Sequence, residues 1–480
     1  MNKPKDDAEL KNIGPGPDSA GASHFPETHP PETMHSGRLL AGLLLAHAAV
    51  LIPMRFFGYE LSRYWSLLSV TGAAFAGLLV FSAVYIGRAF GKKAVYILCL
   101  AFALKVGLGV WHYLFFMDAD YFTTMNAFSY FHDFEWMNNK MQAAADFWRE
   151  EGFSPLPATF YFGNKNPFLL AYNGVLYFLS GNNHLNISPW NALHSIYVAI
   201  LVGALALQAG ATKTQARFAL AIAAFQPFGF ISNLMWRDSV GQFWLVLGAY
   251  LLIATREKKW WWVLTLPAAG FFAWSVRQPY LLLLIALAAY MLASAYRSKM
   301  NMWLILLFFG AIAVGLNVLP AVMGLALDRF QGTSQLSFDF FLFPLRIVRA
   351  IAGPFPWFQL FMGVDGAEYM PVDFIQAVYN LALIILVVPI AIKKWKETGR
   401  LDPSFVLSAL LFITAAQAVG VHISYVSIGM VLLLPLVCRV PTAKWHKTFF
   451  LCLLGFIIAN TAYWLLGLAG SGVVQGLTGY

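Results

Sequence analysis

Residues 93–121 read KAVYILCLAFALKVGLGVWHYLFFMDADY, and this stretch decides the class of fold. Between Ala94 and Met117 the only Lys, Arg, Asp or Glu is Lys105. A helix over those positions rises ~1.5 Å per residue, roughly 36 Å in all, enough to cross a hydrocarbon core about 30 Å thick. Arg88, Lys92 and Lys93 stand before it, and Asp118 and Asp120 follow it. Cations hold a span's cytoplasmic side, so the acidic end points outward.

The rest of the chain repeats this grammar. Of the 480 residues 59% are hydrophobic and 11% charged, against about 45–50% and 25% in soluble domains, and the mean hydropathy is +0.64. Apolar runs predict thirteen spans, at 38–54, 65–87, 94–117, 188–209, 214–235, 239–255, 260–276, 279–296, 300–325, 372–392, 403–420, 423–438 and 448–468. The expected fold is all-α, a polytopic transmembrane helical bundle with helices in its extracytoplasmic loops. Six basic clusters fall on one side of it: Arg88/Lys92/Lys93, Lys213/Arg217, Arg256/Lys258/Lys259, Arg297/Lys299, Lys393/Lys394/Lys396/Arg400 and Arg439/Lys444/Lys447. That side is cytoplasmic, and the N-terminus with it, provided the apolar run 167–180 does not cross. At about 14 residues that run suits a re-entrant or interfacial helix. The net charge of +9 is thereby a topology signal and not a nucleic-acid footprint.

Residues 1–37, rich in Pro, Gly, Ser and charge, read as a disordered cytoplasmic tail with no signal-peptide pattern. A single transmembrane domain over 38–468 follows, and 469–480 reads as a short outer tail. Two long outer loops result, 118–187 and 327–371. The first carries Asp118, Asp120, Asp133, Glu135, Asp146, Glu150 and Glu151 against Lys140, Arg149 and Lys165, and its middle can form an amphipathic helix on the membrane. Cys99, Cys438 and Cys452 lie in or beside apolar segments, without a C-x-x-C pair, so neither disulfides nor zinc is expected. Walker A, dinucleotide and HExxH patterns are all absent, which argues against nucleotide-driven pumping, redox work and zinc proteolysis.

Chemistry collects on the outer face. Asp118 and Asp120, two residues apart, point the same way in an extended segment; they suit a shared Mg2+ or Mn2+ ion or a base for a hydroxyl, and equally a solvated helix end. Arg237-Asp238 lies in the outer turn after Gln226-Pro227, where it reads either as an ion pair closing a hairpin or as an anion-binding Arg with an orienting carboxylate. Arg277 occupies the next outer turn, and Arg346 and Arg349, one helical face apart by spacing, precede Gly353-Pro354-Phe355-Pro356-Trp357. Snorkelling to lipid phosphates explains any one of these arginines; the set of Arg237, Arg277, Arg346 and Arg349 points to a bound diphosphate lipid or anionic substrate. Outer-loop aromatics such as Tyr161 and Trp357 serve as belt residues or stack on sugar rings. Lys105 is the one mid-span base, for which a partner carboxylate or snorkelling is the expected role.

This arrangement resembles the C-type glycosyltransferase superfamily and related bacterial exopolysaccharide or O-antigen polymerases. Asp118 or Asp120 fits the family's acid in the first long outer loop. Pro227 through Asp238, with Ser232 between, fits its Pro-x-x-x-x-Ser-x-x-x-x-(Arg/Lys)-Asp turn. The chain departs in placing three helices before its acidic loop and in lacking a large C-terminal outer domain. The resemblance covers roughly residues 111–357. It implies a bacterial inner-membrane enzyme acting on a polyprenyl-(di)phosphate-linked sugar or glycan, with membrane lipid and other envelope-glycan assembly proteins as partners. Arginines would stabilise the departing phosphate, and Asp120, then Asp118, then Asp238, would serve as base. A transporter or flippase of a lipid-linked glycan is the competing expectation, and a non-catalytic envelope scaffold the third.

Overall fold

The computed structural model describes residues 36–57, 63–112, 129–163, 166–227, 238–257, 261–277, 279–296, 371–417 and 423–465. Among them there is no strand, in keeping with the all-α expectation. The helices in chain order are α1 (Ser36–Phe57), α2 (Arg63–Phe81), α3 (Gly87–Phe90), α4 (Lys92–His112), α5 (Ser129–Glu151), α6 (Ala158–Gly163), α7 (Pro167–Ser180), α8 (Ile187–Gln208) and α9 (Lys213–Ala224). They continue with α10 (Asp238–Ala254), α11 (Trp262–Val276), α12 (Pro279–Tyr296), α13 (Pro371–Thr398), α14 (Pro403–Gln417), α15 (Ile423–Met430), α16 (Leu434–Val437) and α17 (Thr442–Leu465). A π-helical turn over Ser82–Ile86 joins α2 to α3, and 3-10 turns lie at His184–Asn186 and Val431–Leu433.

Among the described residues four helical stretches are long and apolar enough to cross a membrane: Tyr64–Phe90, Lys92–Val110, His184–Gln208 and Phe374–Thr398. Several others are apolar but shorter, including Asp238–Ala254 and Pro279–Ala295. The expected span 300–325 lies outside the described residues. One boundary needs correction: the helix expected through residue 235 stops at Ala224, with Phe225 already off helical geometry. Pro227 explains it, because the residue before a proline is pushed out of the helical region.

The bundle is organised around α8, whose residues from Ile187 to Ala206 are all buried. Around it pack α2, α4, α9, α10 and α16. The peripheral helices turn apolar side chains outward, with Val80 63%, Leu100 56% and Ile458 58% exposed. Water would penalise such a surface at about 25 cal/mol per Å2, whereas hydrocarbon would not, so the exposed faces fit a membrane protein.

The two ends of the bundle differ. At the C-terminal end of α8, Arg439 donates to the Ala209 carbonyl and Arg217 Nη1 to the Phe90 carbonyl (3.4 Å), which gathers three of the basic turns. At the N-terminal end, Asn186 Nδ2 donates to Ser66 Oγ (2.9 Å), and Ser66 Oγ donates to the Ser180 carbonyl (3.3 Å). There α7, about 21 Å long by its rise and so shorter than a hydrocarbon core about 30 Å thick, lies against α1, α5 and α11. Helix α5 is amphipathic as expected. Its buried Met137, Met141, Ala144, Ala145 and Trp148 repeat at helical spacing and face α7, while Lys140 and Glu151 do not join that face.

Candidate functional site

Asp238 opens α10, and Arg277 follows the last residue of α11. Arg277 Nη2 lies 2.6 Å from Asp238 Oδ1, with side-chain exposures of 18% and 5%. Each charge suits its helix end, since a carboxylate favours the positive N-terminus and a guanidinium the negative C-terminus. The close approach depends on Gly241. A Cβ there would stand 2.8 Å from Val276 Cγ1 and 3.2 Å from Tyr280 Cε2. One turn beyond Asp238, then, the backbone of α10 lies against α11 and α12.

The pair belongs to the acidic-loop end of the bundle. Helices α8 and α10 run side by side, with Phe243 packed on His194 and Tyr197. Asp238, five residues earlier and so about 7.5 Å up the axis, stands level with the first turns of α8. Beneath it Leu169, Val240 and Val276 form a small apolar cluster with Tyr172 and Trp244. Trp244 stacks on Phe272 (4.3 Å, 12°). Beside this floor Phe168 packs on Phe271 (4.7 Å) and Tyr161 (5.3 Å), and Phe271 and Trp274 remain partly exposed.

Of the residues expected to carry chemistry, the structure therefore joins Asp238 to Arg277, the arginine of the following turn. Asp118, Asp120, Arg237, Arg346, Arg349 and Trp357 lie outside the described residues. Lys105 is fully buried within α4. Among the described residues no three His, Cys, Asp or Glu side chains form a metal-holding group.

Sequence reasoning passed over a second polar cluster, next to the first. Tyr172 Oη lies 2.8 Å from His194 Nε2 and 3.1 Å from His47 Nε2, and His194 Nδ1 lies 2.8 Å from the Trp190 carbonyl. Trp190 Nε1 donates in turn to Asn173 Oδ1 (3.1 Å). His47 and His194 each interrupt an apolar run, and that was the available signal, because a polar group inside such a run is seldom neutral in cost. Arg149 was also missed, having been read only as loop charge. It donates to Asp146 Oδ1 (2.5 Å) and Asn182 Oδ1 (2.9 Å) through Nη1, and to the Tyr177 carbonyl (2.5 Å) through Nη2, so it caps α7 from α5.

A third polar set surrounds the break between α15 and α16. Gln226 Nε2 donates to the Ser427 carbonyl (2.9 Å), Gln242 Nε2 to the Ile428 carbonyl (3.3 Å), and Asn380 Nδ2 to Ser427 Oγ (3.2 Å). In comparisons with known proteins the chain matches no family model, no curated protein and no solved structure.

Proposed function

We propose that the protein is a bacterial inner-membrane glycosyltransferase or polysaccharide polymerase of about thirteen spans, with a cytoplasmic N-terminus. In this reading it moves a sugar or glycan repeat from a polyprenyl-phosphate-linked donor to an acceptor at the extracytoplasmic face. The observation that carries the reading is the Arg277 guanidinium, held by the buried Asp238 beside an aromatic wall, at the end of the bundle away from the basic turns. A departing phosphate is stabilised by a cation already oriented before reaction, and a carboxylate partner supplies that orientation. Asp238 accordingly positions Arg277. Deprotonation of the acceptor hydroxyl then falls to Asp120 or Asp118, which would also hold any Mg2+ or Mn2+. Arg237, Arg346 and Arg349 extend the anion site, and Trp357 and Tyr161 offer faces to a sugar ring.

A second reading, a transporter or flippase of the same lipid-linked class, is favoured by the buried ionisable groups Lys105 and His194 and by the 3-10 turn at Val431–Leu433, which interrupts the α-helical geometry between α15 and α16. Reconstitution separates the two. Purified protein in vesicles loaded with a polyprenyl-diphosphate glycan is expected to extend or transfer the glycan, releasing polyprenyl diphosphate. Movement of the intact lipid between leaflets without covalent change would favour the transporter.

A further inference from the structure

We propose that His47, Tyr172 and His194 form a binding site for a single proton, shared between the two imidazoles through the Tyr172 hydroxyl. The inference goes beyond the proposed activity and does not depend on it. It starts from a carbonyl, which can only accept. The contact between His194 Nδ1 and the Trp190 carbonyl therefore requires Nδ1–H. In neutral His194, Nε2 is then the acceptor, and it takes the Tyr172 O–H at 2.8 Å. With its one proton so directed, the Tyr172 oxygen accepts, and His47 donates to it from Nε2 at 3.1 Å. The two histidines are thus opposite tautomers, and His47 Nδ1 carries the lone pair. That nitrogen is buried and has no hydrogen-bond partner among the described residues.

A proton bound at His47 Nδ1 need not stay there. An N–H bond forms at Nδ1, the Nε2 proton of His47 passes to the Tyr172 oxygen, and the Tyr172 hydroxyl proton passes to His194 Nε2. His47 ends neutral with its proton on Nδ1, Tyr172 ends neutral, and His194 becomes the imidazolium. Its two N–H groups then meet the Trp190 carbonyl and the Tyr172 oxygen, so both are satisfied. The site is lined with aromatic rings: the Trp190 and Phe243 centroids lie 5.2 and 5.4 Å from that of His194, each in a T-shaped arrangement. Two charges do not suit it, because the imidazole centroids are 5.4 Å apart in an apolar core.

Among the described residues few other ionisable groups face the trio. On α8 Tyr197 lies 6.2 Å from each imidazole. On α7 and α10 the neighbours are Asn173 and Trp244, while Asp238, higher on α10, is engaged by Arg277. Lys105 is buried on α4, which packs against α8.

Nitrogen-15 NMR of the full-length protein in nanodiscs, labelled at histidine, tests the proposal, with His47→Gln and His194→Gln used to assign the signals. At high pH the expected result is the Nδ1–H tautomer at His194 and the Nε2–H tautomer at His47. On acidification both residues should move with one shared midpoint and take up one proton in total. Tyr172→Phe, which keeps the ring, should abolish the shared midpoint. Identical tautomers, two independent titrations in the wild type, or no titration over the pH range in which the protein stays folded would each overturn the proposal. The wild-type tautomers and midpoint decide it even if the Tyr172 variant fails to fold.

Discussion

Asp238 and Arg277, 39 residues apart in sequence, meet at 2.6 Å where α10 begins and α11 ends. Removing one partner strands the other in surroundings that solvate it poorly. Asp238→Ala or Arg277→Ala should each lower stability by about 3–5 kcal/mol, and the double variant by clearly less than the sum. Thermal unfolding of the four proteins in detergent checks this; additive losses would mean that the two charges do not act as a pair.

The approach of α10 to its neighbours gives a separate test. Gly241→Ala would force its new methyl against Val276 and Tyr280 and should cost about 1–3 kcal/mol. Gly455→Ala in α17, where a Cβ meets nothing within 4 Å, should be neutral or gain up to about 1 kcal/mol from helix propensity. Melting temperatures of the two variants in the same detergent make the comparison.

Arg149 ties α5 to the end of α7 by two hydrogen bonds, to Asn182 Oδ1 and to the Tyr177 carbonyl. Arg149→Ala should cost about 1–3 kcal/mol and raise hydrogen exchange in α5 and the last turn of α7, leaving α8 protected. The exposed Lys393–Glu397 pair, at 3.8 Å, should by contrast tolerate Glu397→Ala with little change.

The proposed topology, with the basic turns cytoplasmic, can be tested directly. A membrane-impermeant maleimide should label Glu151→Cys in intact cells, and Lys213→Cys only after permeabilisation. Both positions are exposed, whereas Cys438 and Cys452 are buried and Cys99 is half-buried. Labelling of both positions from the same side would contradict the topology.

Local order was legible in the sequence, and long-range pairing was not. Apolar run length located α1 and α8 to within three residues at each end, because a helix of this kind depends on consecutive residues. The basic turns around Phe90, Ala209 and Arg439 meet at one end of α8, the arrangement that Lys and Arg clustered between alternate apolar runs predict. Asp238 reads in sequence with its neighbour Arg237, which lies outside the described residues; the partner shown comes from the next turn, brought in by the packing of α10 on α11 through Gly241. His47 meets Tyr172 across 125 residues, and periodicity carries no information about such a meeting.

The most direct test is to return variants to a strain whose chromosomal copy is deleted and to measure its envelope glycan and lipid-linked precursor. Asp120→Asn, Arg237→Ala and Arg277→Lys, which keeps a cation beside Asp238 but loses the planar guanidinium, are the variants, each checked for normal membrane abundance. Loss of glycan with accumulation of the polyprenyl-linked precursor is the predicted result. Wild-type glycan in all three at normal abundance would contradict the account.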